Sequence, residues 1–438
     1  MDRTNRMLIS RRKLLTGCAA AGSALLLSSA ARAATPPQPA ATTAPGTAKV
    51  KVTVKYLTWW WAETGRNLVW RQFVKDFEAA NPDIHIEEVS VPYARYEDTV
   101  ITQLAGGQLE GDILSMNDAF FLRLARAGHL LPVDDIPARA GVADRLEPEN
   151  QMAVINGKRV GLVIVMVPNA IIYNQKLYDE AGIKEPPKTP DEYFEVAQRL
   201  TKQPDLYGHA MRSTMPEVAG WWQDLIHWVA GYDGKWAVQG RPTATDPGVI
   251  KAVKMQKKLY DAKAMPQGAD AGTYRKMAWQ GKIGQYLDNH ANITVLRTGN
   301  PDIYPLLRTA APPWPNKKSL TVVNFLGVYP QTKVPNEAKR VLEFLYKPQN
   351  YQKLMESALD IRGLYKGCVS DDFIKKNAWT KGFLESVSFP QPPEGFETKL
   401  PEFRRLTLQR VSEVLTNNRP AEEAMADAQK DLEELAKR

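Results

Sequence analysis

The sequence predicts an α/β protein organised in two domains or lobes. Two observations carry this. Strand-like and helix-like segments alternate from Lys51 onward, the signature of α/β architecture. A chain of 438 residues is also too long for one ordinary core. A third observation is local. From Gly161 to Tyr193 an apolar strand, a break, a second strand, a short helix, a Pro-rich turn and a capped helix follow one another closely.

Taken in order, residues 34–49 are rich in Pro, Ala and Thr and read as a disordered tether. Residues 51–57 alternate polar and apolar side chains, which predicts a strand, and Trp59, Trp60 and Trp61 stand at its end. A helix is expected through Val69, Phe73 and Phe77 as far as Asn81-Pro82, then a strand over residues 84–89. Gly161 to Val167 is a β-branched run bounded by glycine and proline, the pattern of a strand buried on both faces. Pro168-Asn169 should interrupt it, and residues 170–173 form a second piece. Gly182 closes a short helix in the left-handed conformation. Thr189-Pro190-Asp191-Glu192 is a capping box, with Thr189 as the cap and Glu192 reaching back.

Residues 205–240 read as loop-rich and aromatic, with Trp221, Trp222, Trp228 and Trp236. Helical spacing returns over residues 250–262, and Pro312, Pro313 and Pro315 mark a crossing loop. A return strand is expected over residues 321–329, and an amphipathic helix over 336–346 turns Val341, Leu342 and Leu345 inward. The last helix, residues 421–437, carries Met425, Ala428, Leu432 and Leu435 along one side. No internal repeat is visible. The alternation predicts parallel-rich sheets.

Apolar residues make up 44% of the chain and charged residues 24%, as in soluble globular proteins. The formal charge of +8 is unevenly placed: six basic residues against Asp2 put +5 into the first 33 positions, leaving +3 for the rest. No Lys/Arg block with interleaved aromatics marks a nucleic-acid groove. Ser10-Arg11-Arg12-Lys13-Leu14-Leu15 resembles the twin-arginine export motif, with an apolar stretch to Leu27 and the small-residue site Ala31-Arg32-Ala33. The stretch is too weak for a membrane span. Leu15-Thr16-Gly17-Cys18 also resembles a lipobox, in which Cys18 would become an acylated N-terminus. The expected cut is after Ala33, because Cys18 leaves little apolar sequence behind the arginines. Either cut places the protein in the periplasm. Cys368 is then alone, and its expected role is that of a small buried residue.

Tyr173-Asn174, Tyr178-Asp179-Glu180-Ala181-Gly182 and Pro186-Pro187-Lys188-Thr189-Pro190-Asp191-Glu192 resemble a segment of the extracellular solute-binding proteins of ABC importers, family 1, the maltodextrin-binding-like group. Ala105-Gly106-Gly107 before Gly111-Asp112-Ile113-Leu114 and the run Ala125 to Asp135 are similar to the same family. Gly161-Leu162-Val163 departs from its common Gly-Leu-Pro. The resemblance covers most of residues 50–200. It implies a two-lobed periplasmic-binding-protein fold of the type II kind, its discontinuous lobes joined by hinge crossings. The expected division is 1–33 signal, 34–49 linker, 50–165 with 325–375 as lobe 1, and 166–324 with 376–438 as lobe 2. It further implies a carbohydrate ligand, ABC permease subunits as partners, and a chain that acts as a monomer without a cofactor.

Candidate ligand residues follow from chemistry and position. Three successive tryptophans in a strand-like conformation alternate faces, so Trp59, Trp60 and Trp61 cannot all enter one core. An indole turned to a cleft suits the C–H face of a pyranose. Trp221 and Trp222 are read in the same way for the other lobe. Open α/β sheets place ligands at strand-end loops, which singles out Glu63, Asp112, Asn117 and Asp118 as partners for sugar hydroxyls. Asp112 has a competing reading as a cap on backbone amides. Asn169, Asp288, Asn289 and Asn324 fall at breaks between lobes. Arg362 is placed to fork onto a hydroxyl pair or a uronate, or to pair with Asp360. Arg66 is a second cation for an anionic cargo. The five histidines show no metal-ligand spacing, and no nucleophile elbow or phosphate loop is present. The sequence is read as a binding protein with no catalytic or metal site, against the rival of a secreted carbohydrate-active enzyme.

Overall fold

The computed structural model describes residues 51–63, 65–389 and 393–438. The expected signal, with Cys18, and the expected tether lie outside the described residues. The described chain opens on β1 (Val52–Thr58), β2 (Ile84–Ser90) and β3 (Ile113–Asn117). Helices α1 (Arg66–Ala80), α2 (Tyr93–Ala105) and α3 (Asp118–Arg126) follow them in alternation. Next come β4 (Leu162–Asn174), α4 (Pro190–Leu200), α5 (Val218–Gly231) and α6 (Pro247–Asp261). Then β5 (Gln285–Asn289), β6 (Leu307–Ala310), β7 (Lys318–Val328) and α7 (Pro335–Tyr346) lead to β8 (Val387–Phe389), α8 (Leu400–Asn417) and α9 (Ala421–Lys437).

These strands form one curled sheet in the order β6-β4-β7-β3-β1-β2, with β5 paired to β4 and β8 to β7. The ladders β1–β2, β1–β3 and β7–β8 are parallel. The other four are antiparallel, which corrects the expectation of parallel-rich sheets. The reason is β4 and β7. They run in opposite senses, and each lies antiparallel to both of its neighbours in the order above.

The break expected at Pro168-Asn169 is not a break in conformation. β4 is one strand of 13 residues that changes neighbours there. Residues 162–168 pair with β7, and residues 169–174 pair with β5 and β6. Pro168 has no N–H to give, and its carbonyl accepts from His290 N at 3.2 Å. The apolar cores change at the same place. Leu162–Met166 belong to a core with Val54, Phe77, Leu114 and Leu342, whereas Ile171 belongs to one with Trp222, Val253 and Leu432. Ala170 and Ile172 enter a third, smaller core with Tyr286 and Phe383. In β7, Leu320 packs in the Trp222 core and Val323–Val328 in the Val54 core. Two strands thus tie the cores together.

The capping box forms with one change. Thr189 Oγ1 accepts from Glu192 N at 3.2 Å, and Glu192 reaches one residue further back than expected, to Lys188 N at 2.7 Å. The loop-rich reading of residues 205–240 is overturned by α5. Ten of its 14 residues are buried, so there is no polar face to give a 3.6-residue period. The residues around Pro312, Pro313 and Pro315 form a turn from β6 to β7, not a crossing; the crossing is made by β7 itself. Cys368 is a buried free cysteine, as expected.

Candidate functional site

At the carboxyl end of β3 the chain opens onto a cleft of ≈ 680 Å³, within the range of small-molecule sites. One wall is built by α2 and the start of α3, through Tyr93, Glu97, Asn117 and Asp118. The other comes from α5 and the start of α8, through Gln223, Leu400 and Arg404, with Val322 of β7 between them. The walls therefore grow from elements on either side of the change of core.

Asn117 caps α3 by accepting from Phe120 N at 3.0 Å, and its Nδ2 donates to Glu97 Oε1 at 3.0 Å. Asp118 is 5% exposed, and its Oδ1 accepts from Ala119 N at 2.9 Å. Burial pushes the Asp118 carboxyl up to about 6, against the pull of that amide and of Arg404. Tyr93 is 60% exposed and meets Trp59 edge to face, ring centroids 5.4 Å apart. It offers the cleft an aromatic face of the kind expected from the tryptophans. Across the cleft, Arg404 is drawn down to about 10 by burial, with Tyr93, Asp118 and Glu97 acting in opposition, and its Nε is buried without a partner.

Of the residues singled out from the sequence, Asn117 and Asp118 line this cleft. Trp59, Trp60 and Trp61 do not reach it with an open face: each is only 3–4% exposed. The alternation argument fails because they form a 3-10 turn, Trp59–Ala62, rather than a strand. In that turn Trp60 stacks on Trp70 at 5.2 Å, Trp61 meets Tyr56 at 5.4 Å and Trp59 meets Tyr96 at 4.9 Å. Trp221 and Trp222 are also in the core, because α5 turns Ala219 and Gln223, four residues apart, to the cleft. Trp222 packs instead on Trp236 and Phe403.

Asp112 precedes β3, so it stands at the opposite end of the strand from Asp118, roughly 20 Å away by strand rise. It takes the capping role: Lys55 N donates to it at 2.7 Å and Thr332 Oγ1 at 2.5 Å. Asn169 is a brace inside the crossing, donating to Leu320 O at 2.7 Å while its own carbonyl accepts from Ser319 and Ser386. Asn289 lies opposite Asn169 in the β4–β5 ladder. Asn324 is buried at the bulge of β7, in register with Asn117. Asp288 is held by Arg275 (3.0 Å), Tyr274 (2.8 Å) and Asn292 (2.9 Å), and these partners keep it below the usual carboxylate range against burial. Arg362 donates to Glu149 at 2.9 Å and to Ser388 at 3.3 Å, not to Asp360. Glu63 is half-exposed beside Arg66 at 3.8 Å, its pKa raised by burial. Among the described residues no cluster of His, Cys, Asp or Glu is placed to hold a metal ion.

Tyr93 and Arg404 were not singled out. Tyr93 follows Pro92 at the first turn of α2, right after a strand, and that position was a readable signal. Arg404 sits beside Phe403, Thr407 and Leu408 on a helix whose docking partner no local pattern reveals.

A cleft at strand ends between cores joined by two crossing strands defines a ligand-binding protein of the two-lobed type. The chain belongs to the bacterial extracellular solute-binding protein family, whose sequence profile matches residues 61–352. A putative binding protein of Brucella abortus (strain 2308) is 24% identical over 316 residues, 70% of this chain and 74% of that one. Among solved structures, maltose-bound MalE3 of T. maritima superposes with a TM-score of 0.74 at 17% identity, covering 88% of this chain and 100% of that one. UgpB of Mycobacterium tuberculosis, in complex with glycerophosphocholine, gives 0.72 at 14% identity, covering 87% and 98%.

Proposed function

We propose that the protein is the periplasmic substrate-binding subunit of an ABC importer, exported by the twin-arginine route. In this reading it captures a carbohydrate in the cleft and delivers it to the membrane permease. The observation that carries this is the composition of the walls: Asp118 and Glu97 approach from one core, Arg404 and Gln223 from the other. A ligand touching both walls gains its second set of contacts only when the cleft closes, and that differential affinity drives closure about β4 and β7. Carboxylates accept from sugar hydroxyls, a guanidinium donates to them, and Tyr93 supplies a stacking face. The same walls also suit a polyol, a uronate or a glycerol phosphodiester, and the relatives bound to maltose and glycerophosphocholine share the fold.

The test is a thermal-shift screen of the chain from Ala34 against sugars, uronates, polyols, phosphodiesters and amino acids. A ligand at a hundred times its Kd adds about 2.7 kcal/mol, easily resolved in a melting curve. Small-angle scattering with that ligand should show a smaller radius of gyration. A screen without any shift, or a shift without compaction, counts against the reading. New reducing ends from incubation with oligosaccharides would instead favour the secreted carbohydrate-active enzyme.

A further inference from the structure

We propose that Arg404 is the specificity-determining residue of this cleft, and that the ligand presents an oxyanion to it, a carboxylate or a phosphate carried on a sugar or polyol frame. The assignment rests on the solute-binding reading and narrows its ligand class.

The argument begins with how this chain treats its other inward-facing arginines. Arg66, Arg212, Arg275 and Arg362 each hold a carboxylate at 2.7–2.9 Å: Asp360, Asp224, Asp288 and Glu149. Arg159 and Arg308 donate instead to backbone carbonyls, of Asn150 and Pro305, at 2.8 Å. Among the described residues Arg404 has neither kind of partner. It makes no ion pair within 4.0 Å among the described residues, and its Nε is buried without any hydrogen-bond partner. A buried donor left unpaired costs free energy, more so when charged. Arg404 lines the largest cavity described, so its guanidinium can be met by a group that enters from solution.

The shape of the side chain narrows the choice. The two Nη groups of a guanidinium form a planar fork that fits two oxygens of one carboxylate or phosphate. A hydroxyl pair can fill that fork too, but it brings no charge to a buried cation. The opposite wall offers acceptors. Asp118 commits one oxygen to Ala119 N, and Glu97 commits one to Asn117. Their remaining oxygens can accept from a ligand's hydroxyls, so a molecule spanning the cleft sets its hydroxyls against Asp118 and Glu97 and its oxyanion against Arg404. Arg123 and Arg126 also line the cleft, so it is not uniformly negative. Arg66 and Arg362, the cations the sequence offered for an anionic cargo, are committed to Asp360 and Glu149.

Calorimetric titration of the chain from Ala34 with matched pairs tests the assignment: galacturonate with galactose, digalacturonate with galactobiose, and glycerophosphocholine with glycerol. The expected result is one charged member binding at least about tenfold tighter than its neutral partner. Arg404→Gln should weaken that ligand about 10- to 100-fold and leave the melting temperature within a few degrees. Arg404→Lys, which keeps the charge but not the fork, should fall between. Whether a uronate or the phosphodiester responds identifies the oxyanion. Neutral sugars bound as tightly as charged ones, or equally by wild type and Arg404→Gln, would overturn the oxyanion assignment and leave the solute-binding reading standing. No binding by wild type to any member of this panel overturns the oxyanion assignment. If the broader screen is blank as well, the solute-binding reading fails with it.

Discussion

Arg66 donates from both Nη atoms to the two carboxylate oxygens of Asp360, each at 2.9 Å, across 294 positions of the chain. The same carboxylate lies 2.9 Å from His290 Nε2. A helix of the first core, the segment after residue 358 and the loop after β5 therefore meet on one buried charge. Burial alone would raise the Asp360 pKa, but Arg66 and His290 outweigh it and hold it below the usual carboxylate range. Asp360→Asn is expected to cost about 3–5 kcal/mol in urea unfolding, since it leaves Arg66 facing a neutral partner. A depressed carboxylate stabilises above its unfolded pKa and stops doing so as pH falls through its folded value. The gap between wild type and Asp360→Asn should thus be constant from about pH 5 to 8 and shrink below about pH 4. A gap that opened on acidification would contradict this.

Asp118 behaves in the opposite sense. Its folded pKa, about 6, is above that of an unfolded aspartate, so the native state binds more protons between those values. Stability therefore falls as pH rises through about 4 to 6 and stays lower at neutrality. Asp118→Asn is expected to stabilise the ligand-free protein by about 1–3 kcal/mol at pH 7, and by little at pH 4. The same change should weaken ligand binding. Thermal melts at the two pH values, with and without ligand, separate the effects.

The aromatic residues divide by exposure. Trp60→Ala and Trp222→Ala each remove an indole that is at most 3% exposed, and each should cost about 3–5 kcal/mol of stability. Tyr93→Ala should cost under about 1 kcal/mol of stability while reducing affinity about tenfold. The reverse pattern, a stable Trp60→Ala with lost binding, would return the stacking role to the tryptophans.

Asp112→Ala should leave affinity within about twofold of wild type, because the residue lies at the far end of β3. It should lower stability by about 1–3 kcal/mol through the loss of Lys55 N and Thr332 as partners. A tenfold loss of affinity at unchanged stability would place Asp112 in the cleft after all.

What could be read from residues alone had local causes. The capping box at Thr189, the end of α1 before Pro82 and the inward stripe of α9 are set by neighbours three or four residues away. The place of Asn117 and Asp118 on the cleft was legible for a related reason: a strand that ends on an Asn-Asp pair and runs into a helix fixes where both residues stand. Asp112 falls away from this cleft, and Ile113 to Asn117 gives no hint of which strand end opens onto it. That is decided by the parallel pairing of Tyr56 with Ile113. Trp59 to Trp61 misled because a 3-10 turn sends three consecutive side chains inward where a strand would not. Arg404 was invisible because its meaning depends on a wall more than two hundred residues earlier in the chain.

The interleaving of β3, β4 and β7 also has a consequence in time. Asn117 finds its register partner only when Asn324 exists, and the Val54 core lacks Val341, Leu342 and Leu345 until later still. During synthesis the first three hundred residues therefore carry open sheet edges and an incomplete core, a state prone to mispairing. Nascent chains halted before residue 318 should be cut freely by protease, and full-length chains released from the ribosome should resist. Assembly of this protein is thus governed by its last quarter, although the cleft begins to be written in its first.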